Sequence, residues 1–317
     1  MQETVNLDKK QKVKSINYGK WGLIFIIPFF VAYLLFTLIP QVLTVSYSFF
    51  EYYEIGFDTV GPEFIGFKNY VSIFTPETDG TIAIFKYFGN TMLLWIIGAI
   101  PQFVFALLLA VLFTSSRLNL KGQRFFKTIF YMPNLIMASA FALLISQVFS
   151  EYGPINQILT QSGIIEAGQY IKFLSIKISV RSLIALMNFL MWFGNTTIVL
   201  MAGIQGIDES VFESARMDGA GSFRVFKDIT MPLLKPIFIY VFITSMIGGL
   251  QMFDVPQVLT NGFGTPDNSS KTMVMYLNEV LKAHNYGKSG AISVILFIIT
   301  MILSLIVFKT MAKDDEK

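Results

Sequence analysis

The chain has 317 residues, of which 54% are hydrophobic and only 14% charged, with a formal net charge of +3. Its mean hydropathy of +0.60 lies far from that of an ordinary soluble domain. It contains no cysteine and a single histidine, His284, which excludes disulfides, thiolate metal sites and any His-based metal cluster or catalytic triad.

Charge is distributed in a way that defines the architecture. A basic tail, residues 1–20, carries Lys9, Lys10, Lys12, Lys14 and Lys20. From Lys20 to Glu51 there is no Asp, Glu, Lys or Arg. Five more such windows follow: Lys86 to Arg117, Lys127 to Glu151, Arg181 to Asp208, Lys235 to Asp254, and Lys288 to Lys309. Each is about the ~20 residues that a helix needs to cross hydrocarbon. A buried soluble helix mimics one such run, not six. The predicted fold class is an all-α integral membrane protein with six transmembrane helices, forming one domain over residues 21–311 and ending in a short tail, 312–317.

The run from Trp21 to Pro40 is too long for a signal peptide and no small-x-small cleavage site follows it, so it reads as a retained first span. It continues as helix towards Phe50, with Trp21 and the group Tyr47, Tyr52 and Tyr53 near the two interfaces. The first outer loop, Glu51 to Tyr87, has turns expected at Gly61-Pro62, Thr75-Pro76 and Asp79-Gly80. Ser115 to Lys127 is a short basic loop. The loop from Glu151 to Ser179 carries an amphipathic segment near Ile155 to Gln161. The last outer loop, Asp254 to Gly287, opens with the glycine-rich turn Thr260-Asn-Gly-Phe-Gly264 and then a short helix near Ser270 to Leu281.

With six spans, sixteen of the 24 Lys and Arg residues fall on the side of the two termini and eight on the other. The positive-inside rule then places both termini in the cytoplasm, together with the segment between spans four and five. The pI of about 8.8 follows from these anchoring charges.

That segment, 206–232, is polar in an otherwise apolar chain. Ser210-x-x-Glu213 reads as a capping box, opening a helix that runs to about Asp218 and stops at Gly219. Ser222 is a second cap candidate, opening Phe223 to Thr230 before Pro232 breaks the run. Val211, Phe212, Phe223 and Phe226 leave apolar surface for a partner protein. The alternative is a capped amphipathic helix that only rests on the bilayer.

The stretch Glu213-Ser-Ala-Arg-Met-Asp-Gly-Ala-Gly221 resembles the EAA-type coupling loop of ABC importer permeases. With Ala202-Gly-Ile-Gln-Gly-Ile-Asp208 before it and Ile229-Thr-Met-Pro-Leu-Leu-Lys-Pro236 after it, the chain resembles the maltose-type sugar-importer permeases. Phe64-Ile-Gly-Phe-Lys-Asn-Tyr70, Phe125-Phe-Lys-Thr-Ile-Phe-Tyr-Met-Pro133 and Phe253-Asp-Val-Pro-Gln-Val-Leu-Thr-Asn-Gly262 agree, so the likeness extends from Trp21 to Met311. Ser214 departs from it, standing where the family usually has alanine.

The resemblance implies a non-catalytic permease subunit paired with a second homologous permease, an ABC ATPase dimer that binds ATP and Mg, and an extracytoplasmic sugar-binding protein. It implies a multi-pass place in a bacterial-type cytoplasmic membrane, with a sugar, on family grounds an oligosaccharide, as cargo. It assigns ATPase coupling to Glu213, Ser214, Ala215, Asp218, Gly219 and Gly221. Arg216 and Arg224 stand where they can pair with acidic groups on the ATPase, although for Arg224 a solvated charge is the simpler reading.

Polar side chains in the spans suggest the cargo path. Registered on the family pattern, Asn134 and Ala138 in span three, Asn188, Met191, Trp192 and Asn195 in span four, and Ser245, Gly249 and Met252 in span five fall where similar permeases hold sugar. Gln251 and Asp254 join them by chemistry and position. Thr196, Thr197, Gly248 and Gly249 serve equally as packing between helices. An ion-coupled carrier needs ionisable groups at mid-membrane, which the six windows lack. A membrane enzyme needs a catalytic constellation, and a scaffold subunit needs neither.

Overall fold

The computed structural model describes residues 19–77, 80–115, 122–166 and 168–312. The basic residues of the N-terminal tail up to Lys14, Asp79, Arg117, Lys121 and the C-terminal tail lie outside them. Helix α1 (Gly19–Tyr33), a π turn (Leu34–Leu38) and α2 (Ile39–Tyr47) form one apolar segment of 29 residues, none of whose most apolar window is buried by the rest of the chain. Its outward side chains, such as Phe25 and Phe36, are left uncovered by the rest of this chain.

The polypeptide then forms a hairpin that the sequence did not suggest. Strand β1 (Phe50–Ile55) pairs antiparallel with β2 (Asp58–Phe64), and the turn sits at Gly56. Gly61-Pro62, expected as a turn, instead lies inside β2, where the register slips between Glu51 and Tyr53. Gly61 has φ +88, and a Cβ there would sit 1.8 Å from the Glu51 carbonyl, so the bulge requires glycine. Helix α3 (Lys68–Phe74) is tied back by Asn69, whose Nδ2 donates to the carbonyls of Ser48 (3.0 Å) and Phe50 (2.9 Å).

Helix α4 (Ala83–Thr114) runs 32 residues and packs along α8 (Lys177–Gln205). Between them lie α5 (Gln123–Leu135), α6 (Ala138–Val148) and the outer helix α7 (Pro154–Gln161). The window from Lys127 to Glu151 was expected as one straight span. It is two helices meeting at 90°. Pro133 has no N–H for the turn before it, and Ile136 and Met137 are extended, so the helical ladder ends there. Helix α5 is held against α8 at Gly194, where a Cβ would lie 1.9 Å from the Phe130 carbonyl.

After α8 come α9 (Glu209–Met217), α10 (Ser222–Val225), a π turn (Phe226–Thr230), α11 (Met231–Leu250), α12 (Asp254–Leu259), α13 (Met273–Lys282) and α14 (Tyr286–Ala312). Pro232 does not break the run. Helical conformation continues through it into α11, and the π turn just before it accommodates the missing N–H and the ring. Among the described residues, five helical segments are long and apolar enough to cross a membrane, and a sixth if the bent α5–α6 pair is one span. The core follows the α4–α8 seam: Leu94, Ile184 and Met187 are fully buried with Met191 and Met252 beside them, and Ala106, Leu200 and Leu234 form its other end.

Candidate functional site

Two places in the fold gather the residues with chemistry. The first is the α9–α10 turn. Asp208, not Ser210, caps α9: its carboxylate accepts from the Ser210 N–H at 2.9 Å, and that bond holds its pKa below the ordinary value. Ser210 is already helical, so Glu213 cannot complete a capping box with it. The helix ends as expected. Gly219 takes φ +74, its N–H bonds to the Arg216 carbonyl at 3.0 Å, and the Ala220 N–H reaches back to Ala215 at 2.9 Å. This pair of bonds is a Schellman closure, which fixes the turn without side chains. Gly221 is extended and caps α10, so Ser222 is the first residue of that helix rather than its cap.

Glu213, Ser214, Asp218, Gly219 and Gly221 are exposed, whereas Ala215 is buried. The Ser214 hydroxyl donates to the Ser210 carbonyl at 2.9 Å and so leaves the surface of α9 smooth. Arg224 faces Asp228 at 3.6 Å across one helical turn. The apolar residues divide. Phe223 and Met217 project outward at 75% and 88% exposure, while Phe212 and Phe226 line a hollow of about 330 Å³ against Val111 of α4 and Ile204 of α8. The loop is therefore backed onto two long helices, with a rigid rim and an exposed apolar tip.

The second place is a cavity of about 310 Å³ between α4, α8 and α11. It brings together Asn188, Trp192, Asn195, Ser245, Gly249 and Met252, six of the eleven residues assigned to the path from sequence. The other five lie elsewhere. Asn134 donates from Nδ2 to the Met191 carbonyl at 3.0 Å and bridges α5 to α8; Met191 is buried in the core and Ala138 packs against it. Gln251 is turned to a separate hollow with Leu277 and Phe297, and Asp254 is exposed at the start of α12.

Helix α4 supplies what the sequence reading missed. Trp95 enters the cavity and donates from Nε1 to Ser245 Oγ at 3.3 Å; Gln102 donates to Thr196 Oγ1 at 2.8 Å. The available signal was Gln102 itself, an amide deep in an apolar run. Thr196, in contrast, is spent on that bond and serves packing as well as lining. Asn188 bonds its own helix at Ile184 (2.9 Å), and among the described residues the Trp192 indole N–H and the Asn195 amide have no protein partner.

The fold and these two places define a polytopic membrane protein with a capped, polar helical turn between α8 and α11 and a polar cavity between its spans. Residues 102–313 match the family described as binding-protein-dependent transport system inner membrane component, and the chain belongs to that family. It is 30% identical over 221 residues to the lactose transport system permease protein LacF of Rhizobium radiobacter, covering 69% of this chain and 73% of that one. It is 28% identical to the multiple sugar-binding transport system permease protein MsmF of Streptococcus mutans, covering 96% and 99%. The trehalose/maltose transport system permease protein MalF of Thermococcus litoralis is 27% identical over 96% and 97%. Among solved structures, a bacterial ABC transporter involved in import of the acidic polysaccharide alginate superposes with TM-score 0.75 at 20% identity, covering 93% of this chain and 97% of that one. The fold is that of an ABC transporter permease, placed in the plasma membrane.

Proposed function

We propose that this chain is one of two different permease subunits in an ATP-driven sugar importer, and that it forms half of the path for an oligosaccharide handed over by an extracytoplasmic binding protein. The names of its relatives, for lactose, multiple sugars and trehalose/maltose, support the cargo class. A related fold is known from an alginate transporter in complex with a pentasaccharide-bound periplasmic protein, which supports that partner.

The observation that carries the coupling role is the Schellman-closed α9–α10 turn. A docking element transmits displacement only if it does not absorb it, and α9 is short, capped at Asp208 and locked at Gly219. Glu213, Ser214, Ala215, Asp218, Gly219 and Gly221 would seat in a separate ABC ATPase, which binds ATP and Mg; this chain hydrolyses nothing. Counting the bent α5–α6 pair as the third span would give six spans, and the Lys and Arg excess then supports a cytoplasmic side for both termini and this loop.

Purification of the chain from its native membrane in mild detergent, followed by mass spectrometry, tests the reading. Recovery with a second permease and an ATPase supports it. A clean homo-oligomer without an ATPase sinks it.

A further inference from the structure

The cavity between α4, α8 and α11 has a chemical bias that the family does not dictate. None of the residues lining it is Asp, Glu, Lys, Arg or His, and the one titratable side chain is the Tyr240 phenol. Arg181 stands seven residues before Asn188 on α8, about 10 Å along the axis. Its guanidinium is occupied by the Ser269 carbonyl and Asn90 Oδ1, away from the cavity. What the lining offers is neutral: amides from Gln102, Asn188 and Asn195, hydroxyls from Thr244 and Ser245, and two indoles.

The indoles come from different helices. Trp95 is seated by Gly249, where a Cβ would approach its Cδ1 to 2.1 Å, and its N–H bond to Ser245 sets the ring's orientation. Trp192 is 47% exposed, with its N–H unspent among the described residues. A sugar ring presents a C–H face that suits an indole and hydroxyls that suit amides. A carboxylate here would shed its water without gaining a cation from this chain's side of the path.

Resting on the importer reading, we propose that this cavity accepts uncharged sugar rings and rejects uronates, with Trp95 of α4 and Trp192 of α8 as its two stacking surfaces. The fold alone does not settle cargo charge, since a similar one serves the acidic polysaccharide alginate. The assignment rests instead on the side chains of this chain's own half of the path.

The chain has three tryptophans, and Trp21 lies outside the cavity, so replacing the other two removes the cavity's own emission from that of the assembly. The intact assembly in lipid nanodiscs is compared with its Trp95→Phe/Trp192→Phe form, and the difference signal is titrated with gluco-, galacto- and arabino-configured trisaccharides and with trigalacturonate. At least one neutral trisaccharide should give a saturable change, and trigalacturonate a response about a hundredfold weaker. Asn195→Ala should weaken the neutral response about tenfold, the value of one hydrogen bond. Equal responses to neutral and acidic sugars overturn the proposal, and so does silence with every neutral sugar. If the double substitution disturbs assembly, Trp192→Phe alone carries the comparison on the exposed ring. Whether an ATPase is present in the same preparation is scored separately: its absence removes the importer reading, whatever the sugars do.

Discussion

Arg181 of α8 holds the Ser269 carbonyl with two donors, Nε at 3.0 Å and Nη2 at 2.7 Å, while Nη2 also reaches Asn90 Oδ1 of α4 at 2.9 Å. Asn90 in turn donates from Nδ2 to the carbonyls of Asn268 (2.9 Å) and Lys271 (3.2 Å). Two long helices and the loop before α13 are thus fastened at one point. Lys271, itself buried, extends the tie to Glu279 and lies 5.2 Å from the centre of the Tyr87 ring.

Removing that guanidinium leaves buried acceptors without a donor. Arg181→Gln should lower stability by about 1–3 kcal/mol, and Arg181→Lys by less, because an ammonium keeps one of the bonds. Thermal unfolding of the purified assembly in detergent checks this; a midpoint unchanged in Arg181→Gln would show that the tie contributes nothing.

Gly194 tests the packing of α5 on α8. Alanine there would drive a methyl into the Phe130 carbonyl, and the helices must part at a cost of about 1–3 kcal/mol. Gly89→Ala on α4 meets nothing within 4 Å and should be neutral or stabilising by up to ~1 kcal/mol, the helix-propensity gain. Comparison of assembled yield and melting temperature separates the two; equal behaviour would contradict the described contact.

The α9–α10 turn makes a sharper demand at Gly219 than at Gly221. Gly219→Ala must take a left-handed conformation at about 1–2 kcal/mol, whereas the extended Gly221 accepts alanine without backbone strain. Gly219→Ala and Glu213→Ala should leave ATP hydrolysis by the assembled complex in place and sharply reduce uptake per ATP. Normal uptake by both variants in a folded complex would refute the coupling role.

Asp208 gives the loop a pH dependence of known sign. Its folded pKa lies below its ordinary value of 3.8 because the carboxylate accepts the Ser210 N–H. The stabilisation is therefore complete above that ordinary value and disappears as pH falls through the depressed one. Hydrogen exchange at the Ser210 amide should accelerate, beyond its intrinsic pH trend, on acidification below pH ~4, the free-carboxyl range. Asp208→Asn keeps an acceptor and should abolish that acid response; persistence of the response would assign it to another group.

The parts of this architecture legible in the sequence were those set by solvent. Long charge-free runs must leave water, and the helices α4, α8, α11 and α14 lie where such runs stand. The end of α9 was legible because only glycine takes φ +74 freely. Its start was displaced by two residues because Asp208 and Ser210 are both good caps and local geometry chooses between them. The right-angle bend at Ile136 and Met137 was hidden, since Pro133 sits in a run as apolar as its neighbours. The β1–β2 hairpin carried four acids among its aromatics and no Asn-Gly or Asp-Gly turn, so its period was masked. Trp95 and Gln102 escaped notice because membership of a cavity is a property of three helices together, not of one.

The segment Gly19–Tyr47 touches the remainder mainly through α2 on α14, close enough at Gly290 that a Cβ would lie 2.8 Å from the Thr44 carbonyl. Its 29 residues extend about 44 Å, against a hydrocarbon slab of about 30 Å. Held to the rest of this chain mainly at one end, a helix of that length must lean or protrude in such a slab, and tilt is its ordinary response to a change in bilayer thickness. Within this chain, hydrophobic mismatch falls on the segment that has the least packing to lose.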